Sequence, residues 1–357
     1  MTLKNRILDQ IADRGPLPFE EFMELALYHP LGFFGGGEMR SVKAGDFLTS
    51  PGVSRLFGES LAGYVRSEWE RIGDPFTFVE VGAGSGSLLR ALLGKVDMEV
   101  RAVEKSPAAR ETLAGLISPD RVLTSLSEVP GPLRGVVIAN ELLDNIPMAI
   151  AQNTDSGWRE RWVGADGGSL VFVDAPPRPE VVEWLDSHAG PVDVGGWVEV
   201  QIGAGIWLQE AMALLEAGSI LLVDYGDTKE GLAPRRQDGT LRTYRAHHLG
   251  PHPLDEPGAT DITADVNFSA LTHLAAQDDR FEVTLMRQDD FLTELGLRER
   301  LSALRRDELA HAADPDQTER LALRSLKTEA ETLLHPRGLG DFRVLRLATV
   351  GNHAGSG

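Results

Sequence analysis

Glycines and acidic residues with a regular spacing are the part of this sequence best suited to chemistry. Residues 76–93 read FTFVEVGAGSGSLLRALL, an apolar run that breaks into glycines and resumes as an apolar helical pattern. Gly82, Gly84 and Gly86 occupy every second position, so the turn can adopt backbone conformations closed to other residues and a ligand can approach the main chain. Glu80 precedes the first glycine, and Glu104 ends the next apolar run. The pattern predicts a ligand site made of bare main chain and two carboxylates.

Two cofactor classes use such a turn, and the details separate them. The dinucleotide fingerprint needs a glycine at its sixth position, where this chain has Ser87. An acidic residue two places before the first glycine is instead typical of S-adenosylmethionine (SAM) methyltransferases. A carboxylate there would repel a pyrophosphate but suits an ammonium and a sulfonium, and a carboxylate after the second strand suits the ribose hydroxyls. The predicted cofactor ligands in this stretch are Glu80, Gly82, Ala83, Gly84, Gly86 and Glu104.

A second cluster of polar residues follows a later apolar run. The run GVVIA, at 135–139, is followed by Asn140-Glu141-Leu142-Leu143-Asp144. Because the carboxyl ends of parallel strands meet at one edge of a sheet, we expect this cluster to lie beside the glycine turn. Asn140 is then predicted to contact the cofactor, and Glu141 and Asp144 to take part in catalysis or binding. The alternative is that Asn140 and Glu141 only cap the next helix.

An α/β scaffold is needed to position these residues. Short apolar runs, most of them separated by helical patterns, predict strands at 78–81, 100–103, 122–124, 135–139, 219–224, 281–286 and 342–350. Helices are predicted between them and, before the first strand, at 3–14, 19–27 and 53–71. The expected fold is a Rossmann-like seven-stranded sheet with helices on both faces.

Two insertions and an N-terminal cap are predicted around that sheet. Residues 1–75 are predicted to form a helical and loop cap over the cofactor site, 76–350 the main domain and 351–357 a disordered tail. Alternating runs within 146–200 predict a small antiparallel insertion after strand four, and 226–265 a polar loop after strand five. His247, His248 and His252 in that loop match no zinc signature, so no metal site is predicted.

The composition excludes several classes of function. The chain has 357 residues, a net charge of -19 and no cysteine. Disulfides, thiolate metal sites and cysteine nucleophiles are therefore excluded. Phosphate backbones need a basic surface, so the expected partner is not a nucleic acid but a cationic molecule such as an arginine-bearing protein. The N-terminus lacks the apolar core of a signal peptide and no run is long enough for a membrane span, which predicts a cytoplasmic protein.

Motifs along most of the chain resemble one family, the MidA-like SAM-dependent methyltransferases. The mitochondrial member of that family dimethylates an arginine of a respiratory complex I subunit. This chain departs from the family at Leu142-Leu143, where two aromatic residues are usual, and at Gly52, where an acidic residue is usual. The segments that carry the resemblance are FMELALYHPLGFF, GDFLTSPGVSRLFGE, FVEVGAGSGSLL, AVEKSPAAR, VIANELLDNIPM, LLVDYG, GTLRTYRAHH, DITADVNFSAL and LLHPRGLGDFRVL.

The resemblance implies methyl transfer from SAM by in-line displacement, with a protein arginine as the acceptor. Carboxylates would orient the cationic guanidinium. Glu141 and Asp144 are the first candidates for that role and Glu199 the next. In the long segment 28–51, the residues expected to help close over the cofactor are Asp46, Thr49 and Ser50.

Two other functions remain open at this point. The chain could methylate oxygen or nitrogen of a small molecule, with His247 or His248 as a base because imidazole titrates near neutrality. It could instead be an assembly factor that binds SAM without turnover. Assembly as a homodimer is also open.

Overall fold

The computed structural model describes residues 2–36, 55–95, 98–245, 248–311 and 317–350. Within them the helices are α1 (Leu3–Arg14), α2 (Phe19–Tyr28), α3 (Arg55–Ile72), α4 (Ser87–Leu92), α5 (Pro107–Leu113), α6 (Pro179–His188), α7 (Ile202–Leu214), α8 (Lys229–Leu232), α9 (Phe268–Ala275), α10 (Gln288–Glu294), α11 (Leu297–Ala310) and α12 (Thr318–Leu333). The strands are β1 (Leu17–Pro18), β2 (Thr77–Val81), β3 (Glu99–Val103), β4 (Val122–Leu123), β5 (Leu133–Asn140), β6 (Ala149–Thr154), β7 (Gly157–Asp166), β8 (Ser169–Ala175), β9 (Trp197–Val200), β10 (Leu215–Asp224), β11 (Gly226–Asp227), β12 (Arg242–Arg245), β13 (His248–Leu249), β14 (Asp261–Thr263), β15 (Val266–Asn267), β16 (Phe281–Arg287) and β17 (Arg343–Thr349).

The main sheet has seven strands in the order β16-β17-β10-β5-β2-β3-β4. Strands β4, β3, β2, β5 and β10 run parallel, and β17 is antiparallel to both of its neighbours. The seven-stranded α/β sheet predicted from the sequence is confirmed. The strand order places the ends of β2, β3, β5 and β10 along one edge, where the predicted site residues follow them.

Helices cover both faces of this sheet, which explains why its strands are apolar throughout. Phe78 and Ile138 pack into a core that includes residues of α3, α4 and α10 to α12. Val79 and Val137 point to the other face and pack with residues of α7 and α9. Parallel strands buried on both faces carry near-continuous apolar runs rather than alternating ones. None of the described helices is long and apolar enough to cross a membrane.

A second, antiparallel sheet is built mainly from the segment between β5 and α7. Its order is β1-β7-β6-β9, with β8 also paired to β7. Helices α1 and α2 pack on this sheet, because Ile7 and Phe22 share a core with Ile150 and Val163. The N-terminal helices therefore pack with the insertion, whereas α3 belongs to the main sheet. The division at residues 75 and 76 stays a prediction.

Residues 226–265, predicted as a polar loop, contain regular structure. They include α8 and a three-stranded antiparallel sheet in the order β13-β12-β14. The polar side chains that suggested a loop are paired inside the protein: Asp265 is buried and accepts hydrogen bonds from Arg235 and Arg242. The polar composition of this segment predicted a loop because it does not show that the charged side chains pair with each other across 23 or more residues of sequence.

Two glycines allow the central strands to approach closely. Gly135 of β5 is paired with Thr77 of β2 on one side and with Gly218 of β10 on the other. Their φ angles are 150° and 128°, a region that favours glycine. A Cβ atom on Gly135 would lie 1.9 Å from the Thr77 carbonyl oxygen, and one on Gly218 would lie 1.8 Å from the Gly135 carbonyl oxygen. The backbone therefore leaves no room for a side chain at either position.

Substitution of Gly218 by alanine should therefore destabilise the protein by roughly 2–4 kcal/mol, because the strand must shift to admit the methyl group. Gly63→Ala is a matched control, since Gly63 is exposed in α3 and a Cβ there would have no heavy atom within 4 Å. That change should stabilise by about 0.5–1 kcal/mol through helix propensity. Urea unfolding of both variants checks this, and equal stability of Gly218→Ala and wild type would contradict it.

Candidate cofactor and acceptor site

A cavity of about 590 Å³ opens at the carboxyl ends of β2, β3 and β5. Segments that follow these strands form most of its wall, and α2, α7 and β14 complete it. Among the described residues that line it, Lys105 is the one lysine or arginine. Six carboxyl groups also line it: Glu80, Glu104, Glu141, Asp144, Glu210 and Asp261. Such a lining favours a ligand that carries positive charge.

The glycine turn forms part of the cavity floor. Gly82 and Gly84 line the cavity and have φ angles of 71° and 51°. A Cβ on Gly84 would come no nearer to another residue than 4.0 Å, so its main chain is open to a ligand. Ala83 also lines the cavity. At Gly82, by contrast, a Cβ would lie 3.0 Å from Leu142 Cδ1, so the open main chain is at Gly84. Contact of these residues with the cofactor stays a prediction.

Gly86 has a different role from the predicted one. It has a φ of 74° but is not among the residues that line the cavity. A Cβ on Gly86 would lie 2.5 Å from Leu116 Cδ1 and 2.9 Å from Leu113 Cδ2. Its position therefore supports close packing of the turn against the end of α5 rather than direct contact with the cofactor.

Glu80 is a buried carboxyl that lacks a full set of partners. Burial, and next the charge of Glu104, raise the pKa of Glu80 to about 8. Among the described residues, none hydrogen-bonds to its Oε2 atom, although that atom is buried. A buried acceptor without a donor is costly, and the ammonium group of SAM would supply both a donor and a positive charge. The residues present at this end of the cavity therefore fit SAM.

Glu104 connects the glycine turn to the end of β3. Its Oε2 accepts a hydrogen bond from the Gly84 N–H and its Oε1 from the Ser106 N–H, both at 2.7 Å. Burial raises the pKa of this carboxyl, and the two N–H groups oppose that effect. A carboxylate can accept about four hydrogen bonds, so capacity remains for the two ribose hydroxyls. The position agrees with the predicted ribose contact.

Asp144 lies at another part of the cavity wall and is only 3% exposed. Its Oδ2 accepts a hydrogen bond from the Tyr225 hydroxyl. Its Oδ1 is buried and has no partner within the described part of the chain. Burial raises the pKa of Asp144 to about 6, and the Tyr225 hydrogen bond opposes that shift. This carboxyl is therefore mostly ionised at neutral pH, and Oδ1 is the oxygen of the group that no described residue hydrogen-bonds.

Glu141 and Asn140 lie between the glycine turn and Asp144. Glu141 has a φ of 50°, which is unusual for a residue with a side chain and is often found at functional sites. Its backbone N–H donates to the Val223 carbonyl oxygen at 2.8 Å, and the Asn140 Nδ2 donates to its Oε1 at 3.3 Å. Both residues line the cavity, so the structure places them with the other predicted site residues.

Sequence reasoning missed two residues near Asp144. Asp261 of β14 lines the cavity and accepts a hydrogen bond from the Asn145 Nδ2 at 2.8 Å. The other is Tyr225, the partner of Asp144. Tyr28, an aromatic residue expected in a segment that covers the cofactor, lines the cavity, and its hydroxyl donates to the Asn145 carbonyl oxygen at 3.2 Å. Asp261 and Tyr225 lie within segments that carry the family resemblance, and that was the one sign of their importance in the sequence. No local pattern predicts that the segments meet in the fold.

Glu199, the further catalytic candidate, lies elsewhere. It is buried in β9, where its Oε2 accepts from Arg236 at 3.3 Å and its Oε1 from the Thr240 N–H at 2.6 Å. It is not among the residues that line the cavity. A buried carboxylate committed to these donors holds the 226–265 segment against the antiparallel sheet, so its position does not support a catalytic role.

Other predicted residues cannot be placed in the cavity. Asp46, Thr49, Ser50 and His247 lie outside the described residues. His248 is exposed on β13 and is not among the residues that line the cavity.

The comparisons with known proteins agree with this geometry. A family model described as a putative S-adenosyl-L-methionine-dependent methyltransferase matches residues 60–286. The chain belongs to this family. The methyltransferase is 30% identical to the mitochondrial protein arginine methyltransferase NDUFAF7 of Xenopus tropicalis over 85% of this chain and 77% of the relative. It is also 30% identical to the human protein of that name, over 84% and 74%.

A solved structure supports the same cofactor. A superfamily member from Burkholderia thailandensis, bound to S-adenosyl-homocysteine, is 29% identical to this methyltransferase. The two share a TM-score of 0.83, with coverage of 98% of this chain and 92% of the other. This chain is a SAM-dependent methyltransferase, as the resemblance implied.

Substitution of Glu104 by glutamine should weaken SAM binding by about ten- to hundredfold, because hydrogen bonds to a charged acceptor contribute about 1.5–3 kcal/mol. Calorimetric titration with SAM measures the effect. Glu111→Gln serves as the control, since Glu111 is exposed on the neighbouring α5. Equal affinity of Glu104→Gln and the control would contradict the assigned role.

Proposed function

We propose that this methyltransferase acts on an arginine side chain of a protein. The observation that carries the proposal is the buried carboxyl of Asp144, which lines the cavity together with five other carboxyl groups and whose Oδ1 has no hydrogen-bond partner among the described residues. A guanidinium has five N–H donors and a permanent charge, so it can satisfy several of these acceptors at once. The mitochondrial relatives, whose names describe arginine methylation, support the same acceptor.

In the proposed reaction, some cavity residues bind the cofactor and others orient the acceptor. SAM supplies a methyl group on a sulfonium, which an acceptor nitrogen displaces in line. Glu80, Glu104 and the Gly82–Gly84 turn hold the cofactor end, and Asp144 and Glu141 orient the guanidinium. Transfer to a guanidinium nitrogen releases one proton. Asp144, with its pKa raised to about 6, is a stronger base than an ordinary aspartate and is placed to accept that proton.

The alternatives have less support. A small-molecule methyltransferase with a histidine base is weakened because His248 is exposed and away from the cavity wall. A SAM-binding assembly factor would not need a buried Asp144 carboxyl whose Oδ1 has no hydrogen-bond partner among the described residues. The proposal includes a cytoplasmic location, although the vertebrate relatives are named as mitochondrial.

Assembly as a homodimer also stays a prediction.

Labelled SAM and arginine-containing peptides provide the test. Label should appear on arginine and be lost when lysine replaces it, because a carboxylate site for a planar guanidinium does not fit an ammonium equally well. Label found only on small hydroxylated molecules would contradict the proposal.

Asp144→Asn should lower kcat/KM for the arginine peptide by about a hundredfold while leaving SAM affinity unchanged, because the carboxylate acts on the acceptor. Steady-state kinetics and calorimetry measure the two quantities, with Glu111→Gln as the control. An equal loss of SAM affinity would mean that Asp144 serves the cofactor instead.

A further inference from the structure

Tyr225 is the residue that fixes the carboxyl of Asp144. It directly follows β10, and its hydroxyl donates to Asp144 Oδ2. Burial, and next the charges of Asp144 and Asp224, raise the pKa of the Tyr225 hydroxyl well above its usual value. The hydroxyl therefore stays protonated at physiological pH and acts as a donor. With Oδ2 occupied in this way, Oδ1 is the oxygen left for a ligand.

Tyr225 is itself held on several sides. Its N–H donates to Asp224 Oδ1 at 2.9 Å, and its carbonyl oxygen accepts from the Val266 N–H at 3.0 Å. The Arg242 guanidinium lies over its ring, 5.4 Å from the centroid. On another side the Phe342 ring meets it edge-on at 5.7 Å between centroids. The ring is thus fixed by β10, by the 226–265 segment and by the segment before β17.

We propose that Tyr225 is a positioning residue for methyl transfer, which acts through Asp144 by holding its carboxylate with one oxygen turned to the acceptor. The inference rests on the proposed function in that Asp144 binds the acceptor. Tyr225 is not among the residues that line the cavity, so it does not itself act as a catalytic residue. A hydroxyl donor to one carboxylate oxygen stabilises the charged form and fixes the rotamer.

The effect on Asp144 must be separated from that of other groups around it. The Asp224 carboxylate accepts from the Asp144 N–H at 3.3 Å, and Glu141 is on the same loop. The Arg242 charge favours the ionised form of Asp144. Tyr28 of α2 and Asp261 of β14 complete the titratable groups on the elements around it. Tyr225 is distinguished from them by a direct hydrogen bond to the carboxyl group.

Tyr225→Phe removes the donor and keeps the ring. Since the lost hydrogen bond stabilised the ionised form, the pKa of Asp144 should rise above its value of about 6. The acidic limb of the kcat/KM profile for the arginine peptide should move upward by about one pH unit. At pH 7, kcat/KM should fall by about tenfold, of which the pKa shift supplies about twofold and the lost orientation of the carboxylate the rest, with unchanged SAM affinity.

Tyr64→Phe is the matched control. Tyr64 is another buried tyrosine, and its hydroxyl pairs with Ser219 Oγ at 2.8 Å, in a different part of the molecule. The Tyr64→Phe substitution should leave the pH profile of kcat/KM unchanged. Replacement of Tyr225 by 4-aminophenylalanine, which keeps an N–H donor in the place of the hydroxyl, should restore part of the activity and also provides the test if Tyr225→Phe does not fold. A Tyr225→Phe profile with the wild-type acidic limb, or a 4-aminophenylalanine variant no more active than Tyr225→Phe, would overturn the inference.

A measurement without turnover separates this inference from the proposed function. Carbon-13 NMR can follow the Asp144 carboxyl through a pH titration, with its signal assigned by its loss in Asp144→Asn. Tyr225→Phe should raise the titration midpoint whatever the acceptor proves to be. A raised midpoint without arginine methylation would contradict only the proposed function, whereas arginine methylation with an unchanged midpoint would contradict only the role of Tyr225.

Discussion

Buried carboxyl groups that lack donors and face one cavity are the constraint on which the site depends. Removal of a carboxylate from water costs several kcal/mol unless charge or hydrogen bonds replace the lost hydration. At Glu80 and Asp144 the protein supplies part of that replacement and leaves one buried oxygen of each without a donor. A cationic ligand beside each of them would supply the missing donor or charge. Binding would then recover part of the free energy that burial of these groups costs, which would favour positively charged molecules over neutral ones of the same size.

The scaffold places those groups by bringing distant segments to one edge of a sheet. Glu80 precedes the turn after β2, Glu104 follows β3, and Asp144 follows β5. Contributions from outside the main sheet complete the wall, since Tyr28 comes from α2 and Asp261 from β14. The cofactor end therefore belongs to the common sheet, and the acceptor end depends on the insertions.

Local patterns predicted the cofactor end well and the acceptor end only in part. The glycine turn, Glu80 and Glu104 lie within single strand-turn-helix units, so their spacing carries the information. Gly86 was assigned to the cofactor although its lack of a Cβ serves packing against Leu113 and Leu116. Glu199 was predicted to be catalytic although it lies outside the cavity lining, and Asp261 was not predicted although it lines the cavity. In both cases the surroundings are set by contacts between residues far apart in sequence. A carboxylate paired with a buried arginine cannot be told from a catalytic one by composition alone.

Proton release on SAM binding tests the central claim most directly. Glu80, with a pKa raised to about 8, is mostly protonated at pH 7 in the free protein. An ammonium group beside it should lower that pKa, so binding should release close to one proton at pH 7 in the wild-type protein and close to none in Glu80→Gln. Calorimetric titration in buffers of different ionisation enthalpy measures this number. Binding at pH 7 with no proton released by the wild-type protein would contradict the account.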